Sequence, residues 1–163
     1  MELIKFNSEA HESFYKEMLT RTIQLDVYHK AFFYCIGACD TTRKHIDDLF
    51  DFKEGGIKPE GLREAFQTGT SYKVTRMSFN LWNNFVEEGA GDLTTPSSLY
   101  ACEYANEFNQ AIKLRYPEYH RERNFEGDKR PEKDSLRKQI KDLYEQKPVD
   151  SITSVKEQSN TER

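Results

Sequence analysis

The chain has 163 residues and a formal net charge of −4. That balance excludes a broad nucleic-acid surface, which needs a basic face, and leaves room only for a local basic patch. Hydrophobic residues are 36%, which is low, but aromatics are 13%, with 11 Phe and nine Tyr, enough for one core in part of the chain; one domain, or one domain plus a tail, follows.

The N-terminus, MELIKFNSEAHES, lacks the apolar stretch of a secretory leader. No apolar run approaches the roughly 20 residues that span a bilayer. The cysteines are Cys35, Cys39 and Cys102, an odd count that suits a reducing compartment. The expectation is a cytoplasmic protein without membrane contact.

In chain order, residues 3–6 read as a short lead-in. Asn7 or Ser8 starts a first helix to about Ile23, with Phe14–Met18 and Tyr15–Leu19 as i,i+4 pairs. Asp26 caps a second helix, 27–38, whose run Ala31–Ile36 is apolar nearly all round and so belongs inside. Asp40-Thr41-Thr42 offers the next cap. The third helix runs to about Phe52, turns Ile46, Leu49 and Phe50 inward, and ends at Gly55-Gly56. Pro59 opens a short fourth helix carrying Leu62, Ala65 and Phe66.

The stretch 67–85, QTGTSYKVTRMSFNLWNNF, is the centre of the pattern. Gly69 provides a turn, Thr70 or Ser71 a cap, and Val74, Met77, Leu81 and Phe85 recur at helical spacing. Ser78 fills a close approach, and Trp82, the only Trp, widens the stripe and reads as core. Residues 87–94 are a loop. Thr95-Pro96 starts a further helix to Tyr116, interrupted near 103–106 and stopped by Pro117. After Pro117 the composition becomes densely charged and poor in apolar residues. A charged helix with a narrow Leu136, Ile140, Leu143 stripe is predicted over 128–146, then a disordered tail. The fold class is therefore all-α: a compact multi-helix domain over 1–120, with a charged C-terminal helix and disordered tail over 121–163.

Chemistry-bearing residues are few. Helix N-termini favour negative charge. Two Thr-rich caps with basic residues behind them define one candidate anion site: Arg43, His45, Thr70, Ser71, Lys73 and Arg76. The plainer alternative is ordinary capping, with Arg43 and Arg76 paired to Asp47 or Asp51. His45 and Asp48 are i,i+3 and suit a metal ligand or an oriented base, but no second His completes a metal site. Cys35 and Cys39 are i,i+4, and read as small buried hydrophobes rather than zinc ligands. Ser71 and Ser78 have no neighbouring base, and Gly69-Thr70-Ser71 lacks the glycine spacing of a phosphate loop. No catalytic residue, metal or cofactor is expected.

The phrases DTTRKHIDDLFDF at 40–52, GIKPEGL at 56–62, QTGTSYKVTRMSFNLWN at 67–83, TPSSLYAC at 95–102 and AIKLRYPEY at 111–119 resemble a domain-of-unknown-function family of small proteins from Gram-positive bacteria. The resemblance covers roughly residues 5–119. It carries no established activity and implies a setting near phage and integrative-element genes. The function expected from all this is a non-enzymatic accessory or regulatory module that binds a protein partner. A counter-defence or DNA-mimic role is one form of it. The alternative is a small enzyme or anion sensor built on Arg43, His45 and Arg76.

Overall fold

A computed structural model describes residues 4–120 and 141. The predicted charged helix and tail beyond 120 lie outside the described residues, save Lys141. The chain divides into two units, Met1–Arg121 and Glu122–Arg163, and the described residues, save Lys141, belong to the first. It is an all-α domain whose only sheet, among the described residues, is one two-stranded pair.

The first helix, α1 (Glu9–Thr22), starts where the Ser8 hydroxyl accepts from the His11 N–H at 3.2 Å. It ends at Ile23, which stands in the left-handed region at φ 56°. The Asp26 carboxylate then accepts from the N–H groups of Tyr28 and His29, both at 2.9 Å, and begins α2 (Val27–Gly37). Every residue from Ala31 to Cys39 is buried. This helix is the axis of the domain, with α1 and the later helices Gly69–Asn83 and Ala105–Arg115 packed around it. Gly37 makes the α1 crossing possible, because a Cβ there would stand 2.8 Å from His11 and 2.9 Å from Phe14. The lead-in is strapped to the same place: Asn7 Nδ2 donates to Ala38 O at 2.9 Å, and the Tyr34 hydroxyl donates to Lys5 O.

The single third helix of the sequence reading is replaced by two short ones, α3 (Asp40–Lys44) and α4 (Ile46–Leu49). His45 between them leaves helical geometry at φ −113°, ψ 29°. Phe50 is extended and opens the strand β1 (Phe50–Asp51), antiparallel to β2 (Gly56–Ile57). The turn wins locally because Asp51 Oδ1 accepts from the N–H groups of Lys53 and Glu54, at 2.8 and 2.9 Å. Gly55 supplies the positive φ of 70°. Leaving the helix also places the Phe50 ring against Phe32 and Phe33, with centroids 5.2 and 5.1 Å away. Ile46, Leu49 and Phe50 are buried as their spacing predicts. The element at Pro59 is a 3-10 turn, Pro59–Arg63, rather than an α-helix.

The central stretch forms α5 (Gly69–Asn83), beginning earlier than expected. Thr68, not Thr70 or Ser71, is the N-cap, and Gly69 is helical rather than a turn residue. The Thr68 N–H donates to Ser71 Oγ at 2.6 Å, so the Ser71 hydroxyl serves the cap from inside the first turn. Val74, Met77, Ser78 and Leu81 are buried, joined by Thr75 and Phe79, which the stripe did not include. Trp82 is half-buried, at the margin of the core rather than within it. Its ring meets the edges of His29, Phe50 and Phe32 at 4.8, 5.3 and 5.6 Å.

Past a 3-10 turn at Gly91–Thr94, the Thr95-Pro96 start gives only α6 (Pro96–Leu99). The expected interruption is real, and α7 (Ala105–Arg115) resumes with Phe108 and Ala111 buried. Among the described residues no helix is long and apolar enough to cross a membrane.

Candidate functional site

The structure gives Arg43, His45, Ser71, Lys73 and Arg76 of the predicted anion site local contacts of their own. Arg43 sends Nη1 to Gly37 O at 2.5 Å and Nη2 to Asp40 Oδ1 at 3.3 Å, tying the end of α2 to α3. His45 lies flat on Phe66, with centroids 3.9 Å apart and planes 8° apart, and its Nδ1 meets Asp48 Oδ2 at 3.0 Å. Ser71 is fully buried, and its hydroxyl reaches Gln67 Oε1 at 2.9 Å as well as the Thr68 N–H. Thr70 is half-buried beside it. Lys73 donates to Ala101 O at 2.6 Å, bridging α5 to the segment after α6. Neither Arg43 nor Arg76 takes the Asp47 or Asp51 partner weighed from the sequence. Asp47 is held by Arg21 at 2.8 Å, and Asp51 caps its own turn.

Arg76 is the exception in its surroundings. Its Nη2 stands 3.3 Å from Glu87 Oε2, while the other oxygen, Oε1, is 4.0 Å from Arg63 Nε. The Tyr72 ring lies 4.9 Å from the guanidinium carbon. Arg76 Nε is buried and has no hydrogen-bond partner, a condition shared among the described residues only by Glu107 Oε2.

Burial pushes the Cys35 thiol up to about 12, so it is not a thiolate at neutral pH. Its Sγ faces Val74 O at 3.9 Å. Among the described residues no three His, Cys, Asp or Glu side chains gather as a metal site requires.

A second feature went unread in the sequence. Ile23 is 90% exposed, Leu25 67% and Tyr28 44%, all at the α1–α2 turn. Behind this apolar tip, Tyr28 meets Trp82 edge to face at 6.4 Å, and the Arg115 guanidinium covers the Tyr28 ring at 3.9 Å. Arg115 is itself fixed by its Nε–H donating to Leu81 O at 2.8 Å. In sequence, Ile23 and Leu25 pass for the ragged end of an amphipathic helix. The signal available was two aliphatic residues beside Gln24 in a turn capped by Asp26.

These observations define a small all-α domain around one buried helix, with an apolar tip at one turn and an arginine–glutamate cluster where Arg76 of α5 meets Glu87 and Arg63. The chain belongs to a family of unknown function, DUF6075, whose model matches residues 1–128. No curated protein and no solved structure matches it.

Proposed function

We propose that this protein is a non-enzymatic binding module that engages a protein partner through the apolar tip Ile23, Leu25 and Tyr28. One observation carries the reading: Ile23, a β-branched residue, is held in the left-handed backbone region at φ 56° while 90% exposed. Such a conformation is costly for a β-branched side chain, and the domain's own fold gains no burial from it. A partner that covers Ile23 and Leu25 gains about 1.5–3 kcal/mol for each side chain taken fully out of water. Tyr28, braced by Trp82 and Arg115, is the rigid aromatic that interface anchors favour. The contacts of Arg43, His45, Ser71 and Lys73 described above support the non-enzymatic reading. The resemblance to a Gram-positive family adds a setting near phage or integrative elements, in which a counter-defence role fits an acidic partner-binding protein.

The test is a photo-crosslinking residue placed at Gln24, in the tip, and in a second protein at Lys16, exposed on α1. In extracts of the source cell, the Gln24 probe should form a discrete adduct that the Lys16 probe does not. The adduct should vanish when Ile23 and Leu25 are both changed to Ser. An adduct indifferent to those changes, or equal from both probes, removes the tip as the interface.

A further inference from the structure

We propose that Arg76, with Arg63 beside it, forms an anion-binding site that takes a phosphate or carboxylate group, and that Glu87 is its built-in occupant. On an arginine, Nε–H and the Nη2 group lie along one edge of the guanidinium plane, spaced to receive two oxygens of one oxyanion. Only one tooth of that fork is engaged in Arg76: Nη2 meets Glu87 Oε2 at 3.3 Å, and Nε is buried without an acceptor. Buried donors in folded proteins are almost always paired, so a half-filled fork marks a place where an acceptor belongs.

Glu87 does not fill it because its carboxylate is divided. Oε1 turns toward Arg63 Nε, 4.0 Å away, so the two oxygens serve two guanidinium groups instead of one. Both contacts are longer than the 2.7–2.9 Å usual for a charged N–H···O pair. Tyr72, one turn earlier on α5, braces the fork, its ring lying 4.9 Å from the guanidinium carbon. Arg76 is only 15% exposed and Arg63 is 83% exposed, which gives the site a buried specificity element and an outer cation. Glu87 lies on the segment after α5, between Asn84 at φ 62° and Gly89 at φ 74°. An incoming oxyanion that satisfies Arg76 Nε and Nη2 together replaces Glu87 at this edge and leaves Arg63 as a second donor. The site is separate from the apolar tip and stands or falls independently of it.

The experiment is calorimetric titration of inorganic phosphate, and separately of acetate, into the full chain at constant ionic strength set with chloride. Wild type, Glu87→Gln and the double variant Glu87→Gln with Arg76→Lys are compared. Glu87 competes from the same chain at an effective concentration on the order of millimolar. Its neutralisation should therefore tighten anion binding about tenfold over wild type. The Arg76 Nε–H resonance should shift on binding, and the double variant, whose ammonium has no fork, should lose the gain. Tighter phosphate than acetate binding assigns the site to phosphoryl groups. The reverse assigns it to a carboxylate, such as an acidic side chain of a partner. Equal affinity in wild type and Glu87→Gln, no binding to Glu87→Gln, or a gain retained in the double variant overturns the proposal. If the double variant does not fold, the comparison of wild type with Glu87→Gln, read at the Nε–H resonance, still decides it.

Discussion

Lowering the pH from about 7 to about 5 should weaken this domain through one buried imidazole. His11 is fully buried, with Nε2 2.7 Å from Tyr34 O. A carbonyl only accepts, so Nε2 carries the proton, and Nδ1 faces the Asn7 N–H at 3.5 Å. Burial drives the pKa down to about 4 from 6.5; the Tyr34 carbonyl opposes this, and the Arg43 charge adds to it. Above pH 6.5 the ring is neutral both folded and unfolded, and its contribution is fully present. As the pH falls below 6.5, the unfolded chain takes up a proton that the folded chain refuses until pH 4, and stability drains away across that window. At 1.36 kcal/mol per unit, the full loss is about 3 kcal/mol, of which about 2 kcal/mol falls between pH 7 and 5. Asp26, Asp40 and Asp51 are also held below the carboxylate value of 3.8, so they lose their contribution only as the pH falls into the carboxylate range. Urea unfolding at the two pH values, for wild type and His11→Gln, isolates the effect. The variant lowers stability at both pH values, but its pH dependence should be shallower by about 2 kcal/mol. Parallel curves within about 0.5 kcal/mol would refute a neutral, buried His11.

Ile23→Gly should stabilise the isolated domain by about 0.5–1 kcal/mol, since relief of left-handed strain outweighs the added chain entropy; a lower melting temperature contradicts this. Gly61→Ala should cost about 1–3 kcal/mol, because its Cβ would lie 2.5 Å from Asp48 O and 2.7 Å from the Leu49 side chain; unchanged thermal unfolding contradicts it. Phe79→Ala, at a fully buried position, should cost about 3–5 kcal/mol in denaturant unfolding. A fragment ending at Arg121 should unfold cooperatively, as tested by heating; a gradual, non-cooperative melt contradicts a self-sufficient first unit.

The elements that sequence made legible are those decided within a few residues. Ser8 and Asp26 place their caps by hydrogen bonds three residues ahead, and the apolar run of α2 admits only an interior helix. What escaped depends on partners far along the chain. The predicted helix at 40–52 stops before Phe50, whose ring packs on Phe32 and Phe33, almost twenty residues earlier. Phe79 lay outside the Val74–Met77–Leu81 stripe because α5 is covered on more than one side, facing α2, α6 and α7. Trp82 stopped at the margin because α5 ends there, at Asn83, with Asn84 as its cap. In the candidate site, charge pattern pointed to Arg76 among six residues. It could not show that Glu87, eleven residues on, would take half of its fork.

The position of α2 between three helices predicts an order of assembly for the domain. Its contact with α1 closes a turn of four residues, its contact with α5 a far longer loop, and its contact with α7 the longest. Closure entropy rises with loop length, so local pairs should form early and α7 should dock last. The same order run backwards makes α7 the first helix to detach in a partial opening. Cys35 is completely buried on α2, and its thiol feels Glu107 and Cys102. Its labelling by a thiol reagent under native conditions should therefore report that opening, at a lower free energy than global unfolding.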